Sequence, residues 1–144
     1  MGLKIGVLAT QHIAVGVVEE NRIVGQMRIF PEGGNKSDYL ADMHAEEIAE
    51  QILQQIARAR EGKAVEAVGV GFPGIIRDGI IEESPNLHQM KGQNLRATLT
   101  ALLARVGINA RVSIINDADA MAAGIAAERG EVCEELILRR AHWR

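Results

Sequence analysis

Aromatic side chains are scarce in this sequence: one Trp, one Tyr and two Phe make up 3% of its 144 residues. Its core must therefore be built from Val, Ile, Leu, Ala and Met. There is one cysteine, Cys133, so no disulfide framework and no thiolate zinc site can form within the chain. Cys133 reads best as a small apolar residue. Excess positive charge is missing too. Net charge is −3 and the pI about 5.8, with no basic stripe and no helix-turn-helix pattern before residue 36, which argues against a nucleic-acid partner. No apolar run approaches the roughly 20 residues of a membrane span. A single lysine and then a strand open the chain, which is not a signal-peptide pattern, so a reducing cytoplasm is expected.

Hydrophobic residues reach 47% and charged residues 24%, an ordinary globular balance, and the length suffices for one domain with its own core. Short apolar runs predict strands over Lys4–Ala9, Ile13–Glu19 and Ile23–Phe30, joined by short turns as a meander. After a Gly- and Pro-rich loop, Ser37 is placed to cap a helix running to about Arg60. Leu40, Met43, Ile48, Ile52 and Ile56 recur along it at helical spacing. Gly62 suits its C-terminal cap.

Further along, Ala64–Gly71 is a fourth strand, stopped by Pro73 and Gly74. Ile75-Ile76 and Ile80-Ile81 flank Asp78-Gly79 as a small hairpin. Ser84–Gly92 is a loop. Asn94 caps a helix over Leu95–Arg105, which Gly107 closes, and Arg111–Ile115 is a fifth strand. A small-residue helix is expected over Ala118–Arg129 and the start of a strand over Glu135–Leu138. Three meandering strands followed by helix-linked ones imply a mixed α/β sheet flanked by helices.

Three segments have residue types suited to chemistry. In Val68-Gly-Val-Gly-Phe-Pro-Gly74, glycines on both sides of Phe72-Pro73 permit close approach of a ligand to the backbone; a plain strand-ending turn also accounts for them. In Ser84-Pro85-Asn86-Leu87, a stiffened loop presents an amide that both donates and accepts; a solvated loop asparagine is the alternative. Val112–Ala118 carries Asn116 and Asp117 to the carboxyl end of a strand, where ligands of α/β sheets bind. Asp117 can accept a proton from an attacking hydroxyl and Asn116 can orient the substrate, while helix capping is the competing and compatible role.

Taken in order, Gly71-Phe72-Pro73-Gly74, Asp78-Gly79, Ser84-Pro85-Asn86-Leu87 and Asn116-Asp117-Ala118-Asp119-Ala120 resemble the ROK family (repressor, open reading frame, kinase) over about residues 3 to 138. The resemblance implies an actin/hexokinase-like, ribonuclease H-like ATPase fold, with a mixed sheet of about five strands and flanking helices. Residues 1–130 would form the N-terminal lobe. Residues 131–144 would be the start of a C-terminal lobe or an aberrant tail, since Arg139–Arg144 fits neither a strand nor a phosphate loop and points to truncation or a shifted reading frame. The implied reaction is ATP-dependent phosphorylation of a hexose or N-acetylhexosamine. Asn86, Asn116 and the backbone near Gly74 would bind sugar hydroxyls, and Asp117 would be the catalytic base. MgATP enters by resemblance alone; no nucleotide-binding residue and no metal ligand is assigned.

The sequence also departs from the family. Between the first two strands such kinases carry Asp-x-Gly-Gly-Thr, which wraps phosphate and helps place magnesium. Here Leu8 stands near the aspartate position, no glycine pair follows, and Thr10-Gln11-His12 reads as a solvated polar turn. His88-Gln89-Met90 replaces Pro-Gly-Trp, and Ile115 replaces a frequent glutamate. Weak phosphotransfer by this chain alone is therefore expected. A sugar sensor without catalysis, or a structural domain, is the alternative. The small-residue helix is expected at a bare edge that favours a homodimer.

Overall fold

The computed structural model describes residues 2–10, 12–19, 22–30, 40–85 and 87–116. Ser37, Asn86, Asp117, the Ala118–Arg129 segment, Cys133 and the 131–144 tail lie outside the described residues.

Five strands form one sheet: β1 (Leu3–Ala9), β2 (Ile13–Glu19), β3 (Arg22–Phe30), β4 (Val65–Phe72) and β7 (Arg111–Asn116), in the order β3-β2-β1-β4-β7. β1, β2 and β3 pair antiparallel as the expected meander, while β4 runs parallel to both β1 and β7. The sheet is mixed because short turns suffice only for antiparallel neighbours. The parallel strands need crossovers, supplied by α1 (Ala45–Ala59) and α2 (Leu95–Arg105).

Side-chain alternation along the strands builds the core. Ile5, Val7 and Ala9 of β1, Ile13 and Val15 of β2, Val68 and Val70 of β4, and Val112 and Ile114 of β7 are all buried. Against them pack Ile48, Ile52 and Ile56 of α1 and Leu95, Leu99 and Leu103 of α2, spaced four apart so that each set lies on one helix face. Each such side chain contributes about 1.5–3 kcal/mol by leaving water. On β3, Ile23, Val24, Met27 and Ile29 stay exposed. Among the described residues no helix is long and apolar enough to cross a membrane.

α2 follows the sequence expectation residue for residue. The Asn94 side chain accepts a hydrogen bond from the Ala97 amide at 3.0 Å, and Gly107 closes the end at φ +80°. α1 does not. Its apolar spacing predicts a helix from Ser37, yet the helix begins at Ala45, after a separate 3₁₀ turn over Leu40–Asp42. His44 is extended, at φ −71° and ψ 158°, and its amide donates to the Glu47 carboxylate at 3.4 Å. Leu40 and Met43 still reach the core, but from a broken segment. At the other end Glu61 and Gly62 both take left-handed conformations, so the reversal starts one residue before the expected glycine.

A two-stranded hairpin, β5 (Ile75–Arg77) and β6 (Ile80–Glu83), projects from the end of β4. Asp78 and Gly79 both have positive φ, which is the two-residue turn that suits strand twist. The tip rests on α2: the Arg96 amide donates to the Gly79 carbonyl at 3.3 Å, and a Cβ at Gly79 would stand 2.4 Å from that of Arg96.

Candidate functional site

β4 and β7 end together, with Phe72 paired to Asn116 at the carboxyl edge of the sheet. Phe72 is fully buried, so the strand end is held by the core beneath it. From this edge the half-buried Asn116 side-chain amide donates to the carbonyl of Gly74. The bond joins the turn after β4 to the end of β7, across 42 residues of sequence.

Gly74 has φ +118°, a region that L side chains rarely adopt. Its backbone also lies directly against the end of β6. A Cβ here would fall 1.8 Å from the Glu83 carbonyl oxygen and 2.9 Å from the Ser84 Cα. Glycine is therefore required twice, by conformation and by contact. The contact brings the Ser84 loop onto the same seam as Gly74 and Asn116.

Ser84 is 1% exposed, and its hydroxyl oxygen is buried with no hydrogen-bond partner among the described residues. Its carbonyl accepts from the Leu87 amide at 3.2 Å, making Ser84–Leu87 a tight turn with Pro85 at its second position. Leu87 and Met90 are buried and tie the loop to the core. The loop returns to β6 through Ile81, which donates to the Gln93 carbonyl at 2.9 Å and accepts from Gly92 at 2.7 Å. Lys91 pairs with Glu83 at 2.9 Å; this hydrogen bond and the carboxylate charge raise the lysine above its ordinary pKa. Both side chains face solvent, so the pair adds little stability.

Of the residues singled out from sequence, Gly74 and Asn116 are thus in direct contact, and Ser84 of the Ser-Pro-Asn-Leu turn packs on Gly74. Asn86 and Asp117 adjoin described residues in sequence but lie outside the described set. His88 is exposed, in a 3₁₀ turn over His88–Met90. Two residues carry contacts that sequence reasoning missed. One is Ser84, whose burial has no local signal. The other is Gln89, which reaches carbonyls more than 40 residues earlier in the chain.

The β1–β2 connection does not form a phosphate cradle among the described residues. Ala9 pairs with Ile13, and the Thr10 amide donates to the His12 carbonyl at 2.9 Å, closing the turn on itself. Leu8 is paired with Ala14 in the sheet and supplies no metal ligand. His12 departs from the solvated side chain expected there, because its Nε2 is buried, with no partner among the described residues. Among the described residues no three His, Cys, Asp or Glu side chains group as a metal site.

No protein-family model and no curated protein matches the chain. Solved structures do. The ROK family glucokinase from Streptomyces griseus, solved with glucose and AMPPNP, is 33% identical with a TM-score of 0.66. The chain thus resembles a ROK family kinase over most of its own length. The inorganic polyphosphate/ATP-glucomannokinase from an Arthrobacter species gives a TM-score of 0.68 at 26% identity, and the ROK hexokinase from Thermus thermophilus 0.64 at 25%. The matches cover 88%, 88% and 84% of this chain but only 36%, 49% and 37% of those three structures, taken in that order. The chain thus spans between about a third and a half of the length of the proteins it resembles. Its mixed sheet with flanking helices is that of the actin/hexokinase-like fold.

Proposed function

We propose that this lobe binds a hexose or N-acetylhexosamine at the seam of Gly74, Asn86 and Asn116, and that Asp117 is the base for phosphorylating it. The observation that carries the reading is the Asn116–Gly74 hydrogen bond, which sets the end of β7 against the turn after β4. A sugar hydroxyl there would meet amide and carbonyl groups already held in place. Asp117, the next residue, would take the proton of the hydroxyl as its oxygen attacks the phosphoryl donor. Glucose is the first sugar to test, since the Streptomyces griseus glucokinase was solved with it.

A second reading, sugar binding without phosphotransfer, draws support from the closed β1–β2 turn, which has neither glycine nor carboxylate between Leu8 and His12. Calorimetric titration with glucose, mannose, N-acetylglucosamine, N-acetylmannosamine and MgATP, followed by an assay for sugar phosphate, separates the two readings. Turnover that Asp117→Asn abolishes supports the kinase, and sugar binding without turnover supports the sensor. Silence towards every sugar overturns both. The self-association expected at the edge of the Ala118–Arg129 segment, which lies outside the described residues, would be refuted by light scattering of a clean monomer.

A further inference from the structure

Gln89 makes contacts that the sugar-binding reading has not used. Its side-chain nitrogen lies 3.1 Å from the Leu40 carbonyl oxygen and 2.7 Å from that of Met43, with Ala41 more distant at 3.5 Å. All three partners are acceptors, so only the NH₂ end of the amide can face them. The two N–H donors bridge the 3₁₀ turn before α1 to the loop after β6. These are also carbonyls that an unbroken helix from residue 37 would have used internally, and the helix starts only at Ala45.

The two sides of this bridge are not equally fixed. Leu40 is fully buried, and α1 beyond it is anchored by Ile48, Ile52 and Ile56. The 84–92 loop is irregular and hangs from β6. Its near end is pinned where Ser84 meets Gly74, and its middle by Leu87 and Met90. Gln89 is the polar tie that holds it sideways against the helical layer. Asn86 lies between the Gly74 seam and this tie in sequence.

We infer that Gln89 is a positioning residue: its amide fixes the loop whose near end, at Ser84, abuts Gly74 in the proposed sugar-binding seam. This rests on the sugar-binding reading of the seam. Gln89 touches no substrate in this scheme and acts through the loop alone.

The test uses the full chain and two variants. Gln89→Met keeps the length and removes both donors, whereas Gln89→Glu keeps the shape and sets acceptor against acceptor. Wild type is first titrated with glucose, mannose, N-acetylglucosamine and N-acetylmannosamine, and the tightest sugar is carried forward. At a temperature where every protein is fully folded, Gln89→Met is expected to weaken that sugar about tenfold and Gln89→Glu further. Hydrogen exchange of the sugar-free proteins should rise over residues 84–92 and stay unchanged in β4. Sugar affinity within twofold of wild type overturns the inference, even if the melting temperature falls, because a merely structural role moves stability and not the affinity of the folded state. A wild type that binds none of the four sugars overturns the sugar-binding reading and this role with it. Unchanged exchange over 84–92 overturns the loop-holding step separately.

Discussion

Asn116 and Gly74 meet through a side-chain amide donated to a backbone carbonyl, 42 residues apart in the chain. β7 runs beside β4, and the partner lies two residues past the end of β4, so the bond locks two strand ends rather than a loop to itself. Asn116→Ala leaves the Gly74 carbonyl without this donor and is expected to lower unfolding free energy by about 1–2 kcal/mol. Asn116→Asp should cost more, since a carboxylate would face a carbonyl oxygen. Urea denaturation of the three proteins checks the order, and a wild-type-like Asn116→Asp would contradict it.

Gly74→Ala should be among the most damaging substitutions in the described residues. The added carbon would overlap the Glu83 carbonyl, and the backbone conformation is strained for any side chain. A loss of about 3 kcal/mol or more is expected, with the base of the hairpin displaced. Gly62→Ala is the control. It also has positive φ, but nothing lies within 4 Å of the new carbon, so only about 1–2 kcal/mol is at stake. Equal losses at the two positions would show that the contact with Glu83 contributes nothing.

Ser84→Ala is expected to raise stability. The hydroxyl is buried with no partner among the described residues, and an orphan polar group costs about 1–3 kcal/mol. Removing it should recover about 1 kcal/mol of that cost, seen as a higher urea midpoint with an unchanged slope. A lower midpoint would mean that the hydroxyl is bonded in solution.

Asn94→Ala removes the cap of α2 and should cost about 1 kcal/mol, whereas Asn94→Ser or Asn94→Asp should retain most of it. Thermal melts of the four proteins decide this. An Ala variant as stable as wild type would show that the Ala97 amide finds water equally well.

Much of this architecture is legible in the sequence. Strands β1, β2, β4 and β7 are short apolar runs bounded by turn residues, and their ends move by no more than two residues. α2 carries its own punctuation, Asn94 and Gly107. The start of α1 is not legible in the sequence, because Leu40 and Met43 continue the helical spacing through a break. Nothing local marks that break, as Gln89 lies 46 residues beyond Met43. At the site, a glycine at position 74 announced unusual backbone, but the reason for it, the Glu83 carbonyl, belongs to another strand. Asn116 was readable from its place at a strand end. Asn86 and Asp117 stand as proposals, being outside the described residues.

The β5–β6 hairpin is braced at both ends. Its base abuts Gly74, and its tip lies under Arg96 in the first turn of α2. It therefore works as a strut, setting the distance between that helix and the rim of the sheet. A change at the exposed Arg96 or Asp78 is linked to the rim through the hairpin. Selection on the geometry of the rim would act on such remote positions as well as on Gly74 and Asn116 themselves.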